Sequence, residues 1–193
     1  IRSATSKDCL NFKLDKKIII GTNTKYQQAV HTPKTIFNNG LYYCYYTGSD
    51  KSEKIYSKAY PAYDFSDKFR IFRAVSKDGE SFRFDHEIKS IQKPTLLNYY
   101  GHNVIFCNKD YLLFYAAFDG SVNRIYMSKS KDGIIYTDIK SLLEPDKDIS
   151  ELGYYSCGLM PLNDEKFRIY YGIRYFDNTW KIHSAIINLH EYV

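Results

Sequence analysis

Short aromatic and apolar runs, each following a turn of Asn, Asp or Gly, recur along this chain. Leu41-Tyr42-Tyr43-Cys44-Tyr45-Tyr46-Thr47, Tyr111-Leu112-Leu113-Phe114-Tyr115-Ala116-Ala117 and Phe167-Arg168-Ile169-Tyr170-Tyr171-Gly172-Ile173 place large side chains at consecutive positions. That pattern predicts strands packed on both faces. Before each run lies another apolar stretch and a turn: residues 32–37 before Asn38-Asn39-Gly40, 103–106 before Asn108-Lys109-Asp110, and 158–162 before Asn163-Asp164-Glu165. Each pair reads as a hairpin, with the first strand innermost.

A third strand follows in each unit, and after it a repeated turn. Ser6-Lys7-Asp8-Cys9-Leu10-Asn11-Phe12, Ser76-Lys77-Asp78-Gly79-Glu80-Ser81-Phe82 and Ser130-Lys131-Asp132-Gly133-Ile134-Ile135-Tyr136 share one grammar. The strands before them, at residues 1–4, 70–74 and 124–128, have a fourth counterpart at 181–185, where the turn is missing. The unit is therefore inner strand, aromatic strand, third strand, Asp-Gly turn and a short outer strand such as residues 82–85. Four-stranded units repeated in this way predict an all-β fold of β-propeller blades. The repeats run at approximately 1–69, 70–123 and 124–193, within one partial propeller domain. A closed propeller needs roughly four to eight blades, so blades on the N-terminal side or a partner chain are expected to complete the ring.

The Asp of each turn has a structural task. Its carboxylate can accept backbone N–H groups of its own turn, and Gly after it tolerates positive φ. Asp8, Asp78 and Asp132 are thus read as structural rather than catalytic.

Composition narrows the class. Twenty tyrosines dominate an aromatic content of 17%. No apolar run approaches the roughly 20 residues of a membrane-spanning helix. The net charge of +5 is scattered, with no basic cluster or nucleic-acid motif, so neither nucleic acid nor membrane is expected as a partner. Cys9, Cys44, Cys107 and Cys157 show no C-x-x-C pairing, which argues against zinc. They read as buried free thiols, which favours a reducing, cytoplasmic compartment. No signal peptide is visible in a sequence that starts at Ile1.

The recurring Tyr-Tyr strand, the Arg-Ile-x-x-Ala strand and Ser-Lys-Asp-Gly-x-x-Phe together resemble the five-bladed propeller glycosidases, the group holding arabinanases, β-xylosidases, invertases and levansucrases. The turn differs from the sialidase Asp-box, because Gly directly follows Asp and the aromatic is Phe or Tyr. The resemblance covers the chain as about three blades, the C-terminal three of five. It implies a sugar-binding funnel at the propeller axis, lined by the starts of the inner strands. It also implies a carboxylate acid/base pair for hydrolysis or transfer of a glycosyl unit. A Ca²⁺ ion on the axis is possible by resemblance, without a ligand motif in this sequence; no other cofactor is expected.

Where such enzymes would carry acidic residues, this chain has Thr32-Pro33-Lys34 and Gly101-His102-Asn103. His31, His102 and Asn103 are candidates for hydrogen bonds to sugar hydroxyls, with a strand-capping imidazole as the plainer reading. Glu151, in Ser150-Glu151-Leu152-Gly153-Tyr154-Tyr155, is the candidate general acid; a surface-loop carboxylate is its rival. Tyr154 and Tyr155, like Tyr99 and Tyr100, offer rings for sugar stacking or for the core. Arg174 offers a fork of donors, and Asp119 is either an axis-facing carboxylate or a hairpin-turn residue. The insertion at 52–67 is long for a blade connection and reads as a lid or a partner contact. Two functions follow: a carbohydrate-active enzyme, or a sugar-binding or protein-interaction propeller that has lost its carboxylates.

Overall fold

A computed structural model describes residues 1–21, 29–49, 70–90, 97–118, 122–144, 153–163 and 165–191. Their strands are β1 (Arg2–Thr5), β2 (Lys13–Ile18), β3 (Ala29–Asn38), β4 (Leu41–Ser49), β5 (Arg70–Ser76), β6 (Arg83–Glu87) and β7 (Lys89–Ser90). Then come β8 (Leu97–Cys107), β9 (Asp110–Phe118), β10 (Asn123–Ser130), β11 (Ile135–Leu143), β12 (Tyr154–Pro161), β13 (Lys166–Arg174) and β14 (Trp180–Asn188). A single 3₁₀ turn, Leu189–Glu191, follows.

These strands form propeller blades. Two complete antiparallel blades run β3-β4-β5-β6 and β8-β9-β10-β11, the second extended by β7 in parallel beside β11. β12-β13-β14 supplies three strands of another blade, and β1-β2 a two-stranded sheet whose connecting turn is the Asp8 copy of the repeat. The sequence repeat, read from that turn, begins each unit on a third strand, so each unit straddles two sheets. Asn39 (φ 50) with Gly40 (φ 75), and Asn108 (φ 51) with Lys109 (φ 66), make the two tightest hairpins. Two successive positive φ values match the right-handed twist of paired strands, and Asn-Gly accommodates them at least cost.

Sheets stack face to face, and the consecutive aromatics serve both faces. Cys44 and Tyr46 of β4 pack with Phe72, Ala74 and Ile20, against which Ile1 and Ile19 lie. Tyr45, one position on, joins the cluster of Leu113, Tyr115, Ala117 and Tyr126 in the next blade. Leu112, Phe114, Ile125 and Met127 face the other way, onto Phe167, Ile169, Ile173 and Ile187. β3, β8 and β12 consequently lie side by side as the innermost strands.

The repeated turn closes as its chemistry requires. Oδ1 of Asp78 accepts from Ser76 Oγ (2.7 Å) and from the amides of Glu80 and Ser81 (2.8 Å each). Asp132 Oδ1 does the same with Ser130 Oγ and the Ile134 and Ile135 amides, and Asp8 with Ser6 Oγ and the Leu10 and Asn11 amides. The Asp132 turn is also a socket between blades. Tyr45 Oη donates to the Gly133 carbonyl (3.1 Å), and Arg73 Nη1 to that of Asp132 (2.6 Å) while its Nε pairs with Asp85 (2.7 Å). Cys44 and Cys157 are buried and Cys107 half-buried, but Cys9 is exposed. It occupies the turn position that is Gly79 and Gly133 in the other copies, and adopts their positive φ (59°).

Candidate functional site

Each inner strand carries a one-residue bulge at the same register. Pairing steps from His31↔Thr47 to Lys34↔Tyr45, from Tyr100↔Ala116 to Asn103↔Phe114, and from Tyr155↔Gly172 to Gly158↔Tyr170. Two residues thus face one at each bulge, and the first bulged residue is left-handed: Thr32 (φ 49), Gly101 (φ 42) and Ser156 (φ 51). Bulges bend a strand and re-aim its side chains, and they recur beside functional sites.

The second bulged residue reaches back to the preceding blade. His102 Nδ1 meets Thr47 Oγ1 (3.2 Å), and Cys157 Sγ donates to the Gly101 carbonyl (3.1 Å). Asn103 reaches forward, its Nδ2 donating to the Cys157 carbonyl (3.4 Å). On the β3 side Thr32 Oγ1 donates to Thr47 Oγ1 (2.9 Å) and contacts His31 Nδ1 (3.3 Å). One hydrogen-bonded chain therefore runs His31, Thr32, Thr47, His102 across two blades.

This row of hydrogen-bonded side chains carries no charge at pH 7. His102 is 1% exposed, and burial drives its pKa down to about 4, with the Tyr45 backbone opposing and the charges of Lys34 and His31 adding to the effect. Burial likewise lowers His31. The Cys157 thiol is pushed up to about 12 by burial, against the attraction of Lys34, so it is not a thiolate. Such a site offers hydroxyl, imidazole and amide groups that exchange donor and acceptor roles.

Of the residues singled out in the sequence, His31, His102 and Asn103 come together here. Tyr154 and Tyr155 are buried: the Tyr154 ring lies 4.9 Å from that of Tyr171 and its hydroxyl donates to the Glu144 carbonyl (3.1 Å), while Tyr155 meets Trp180 edge-on at 5.0 Å. Arg174 Nη2 donates to Asn178 Oδ1 (2.7 Å) within the β13–β14 hairpin. Glu151, Asp119 and the insertion at 52–67 lie outside the described residues. Thr32 was noted only within Thr32-Pro33-Lys34 as a place without a carboxylate; Thr47 had no signal beyond its place at the end of an aromatic strand, and Ser156 could have been marked only by aligning the three inner strands. Among the described residues no group of three or more His, Cys, Asp or Glu could hold a metal ion. The inner strands offer imidazoles and hydroxyls rather than the carboxylate oxygens Ca²⁺ prefers, so they do not fit an axial Ca²⁺.

No protein-family model matches this sequence, and no curated protein matches it. Its structural likenesses are propeller enzymes that process sugars. A β-1,2-mannobiose phosphorylase from Listeria innocua, solved with β-1,2-mannobiose, aligns at TM-score 0.70 and 19% identity over 99% of this chain and 50% of that one. An endo-arabinase from Bacteroides thetaiotaomicron aligns at TM-score 0.69 and 15% identity over 97% of this chain and 66% of that one. A Bombyx mori GH32 β-fructofuranosidase mutant, solved with sucrose, gives 0.67 and 14%, over 97% and 39%. The chain spans about half the length of the mannobiose phosphorylase it matches. It has the fold of the glycoside hydrolase propellers, in part of its extent.

Proposed function

We propose that the protein is a carbohydrate-active propeller that takes a glycan at the axis end of β3, β8 and β12 and hydrolyses or transfers a glycosyl unit. The observation that carries this reading is the trio of register-matched bulges, which gathers His31, Thr32, His102 and Asn103 on a scaffold shared with sugar-processing enzymes. Neutral groups that both donate and accept suit sugar hydroxyls, which do the same.

Glycosyl transfer needs two carboxyl groups, ~5–5.5 Å apart for retention or ~6.5–9.5 Å for inversion. β3, β8 and β12 contain no Asp or Glu. The general acid is accordingly assigned to Glu151, in the segment that leads into β12, and its partner to a segment beyond these three strands.

Turnover and binding of β-1,2-mannobiose (with and without phosphate), sucrose and arabinotriose test the reading. Glu151→Gln is expected to lower turnover by roughly 10²–10⁴-fold while binding persists. Unchanged turnover would remove Glu151 from its role. Binding without turnover in the unmutated protein would favour a sugar-binding propeller that has lost its carboxylates.

A further inference from the structure

We infer that Thr32 is a ligand-binding hydroxyl, held ready for a hydroxyl group of a neutral sugar by Thr47 and His102 behind it. The inference rests on the carbohydrate reading above and names a residue of that same site.

Thr32 is exposed on an innermost strand at φ 49. A β-branched residue is the least suited to this left-handed conformation, and such outliers persist only where the surroundings over-determine them. The equivalent position in the next blade is Gly101, where an added Cβ would run into Ser156, so glycine there answers a steric demand. Position 32 has instead the residue that resists the backbone it must adopt. What Thr adds over Gly is its hydroxyl.

That hydroxyl has one proton and two lone pairs. It gives the proton to Thr47 Oγ1 at 2.9 Å, so in its 3.3 Å contact with His31 Nδ1 it is the acceptor. Thr47, fully buried, meets Nδ1 of the neutral His102 at 3.2 Å on its far side. With its proton given to Thr47 and one lone pair turned to His31, Thr32 Oγ1 keeps a second lone pair. A ligand hydroxyl can donate to it; a carboxylate or phosphate dianion, having no proton to give, cannot. Thr47 and His102 are positioning residues, and Thr32 is the group that meets the ligand.

The test compares Thr32→Gly, Thr32→Ser and the unmutated protein by calorimetric titration with β-1,2-mannobiose, sucrose and arabinotriose, alongside thermal unfolding. Thr32→Gly relieves the strained φ, so its Tm is expected to stay within a few degrees of the parent while affinity for whichever sugar binds falls at least tenfold. Thr32→Ser keeps the hydroxyl and is expected to bind within about threefold of the parent. A purely structural hydroxyl cannot leave Tm unchanged while binding is lost. Parental affinity in Thr32→Gly overturns the inference while the carbohydrate reading stands, and a large Tm loss overturns it by assigning the hydroxyl to the fold. If no sugar binds the parent, the carbohydrate reading fails first and this inference with it.

Discussion

Gly101 of β8 rests directly on Ser156 of β12: a Cβ at position 101 would stand 2.5 Å from the Ser156 Cα, closer than any packed carbon tolerates. The two left-handed bulge residues of neighbouring blades thus touch backbone to side chain, and the Gly101 carbonyl takes the Cys157 thiol beside them. β8 and β12 meet at this contact near the ends of the inner strands.

Gly101→Ala should therefore be costly. An L-residue at this φ loses roughly 1–2 kcal/mol, and overpacking against a backbone atom adds about 1–3 kcal/mol. Denaturant unfolding is expected to show a loss of about 2–5 kcal/mol; a loss below 1 kcal/mol would mean that the bulges do not touch in solution.

Cys9→Gly should act in the opposite direction. Cys9 sits at φ 59, where the sister turns have Gly79 (φ 76) and Gly133 (φ 70). Relief of roughly 1–2 kcal/mol, less the roughly 0.5–1 kcal/mol that glycine gives to the unfolded chain, leaves a gain of up to about 1.5 kcal/mol. A rise in Tm checks it, and a fall would show that the exposed thiol contributes more than its backbone costs.

Asp132→Ala is expected to loosen two blades at once. It removes the acceptor for Ser130 Oγ and two amides, and disturbs the carbonyls that hold Tyr45 and Arg73 of the preceding blade. A loss of about 1–3 kcal/mol follows from leaving such donors unmatched, and Asp132→Asn should recover part of it. Equal loss in both variants would point to the charge rather than the turn.

Stability should depend on pH through His102. Its folded pKa of about 4 lies below the ordinary 6.5, so above pH 6.5 the imidazole is neutral in both states and its contribution is fully present. As pH falls from 6.5 towards 4 the unfolded chain takes up a proton that the folded chain refuses, and on the order of 3 kcal/mol is lost across that window. Thr47, the Tyr45 backbone, Lys34 and His31 surround the ring and tune the midpoint. His102→Gln is expected to reduce the slope of unfolding free energy between pH 4 and 6.5, leaving the share of His31, whose pKa burial also lowers; an unchanged slope would assign the dependence elsewhere.

The blades were legible because their turns are. Ser76-Lys77-Asp78-Gly79 and Ser130-Lys131-Asp132-Gly133 spell out hydrogen bonds that the structure makes, and the run at 42–46 declares two packed faces. The bulges were not legible. An extra residue leaves the apolar pattern on either side intact, and the residues that fill it, Thr32-Pro33, Gly101-His102 and Ser156-Cys157, share no chemical type. His31 and His102 stood out as rare imidazoles at inner-strand positions, whereas Thr47 gained its role only through a neighbour 55 residues away. Tyr154 and Tyr155 could not be told from core by sequence, since tyrosine suits both places.

The most direct test of a sugar site at the inner-strand bulges is a ¹⁵N–¹H titration of the protein with β-1,2-mannobiose, sucrose and arabinotriose. Saturable shifts centred on the amides of His31, Thr32, Gly101 to Asn103 and Ser156, from at least one of these sugars, are the predicted result. Shifts confined to other surfaces, or none with any sugar, would contradict the account.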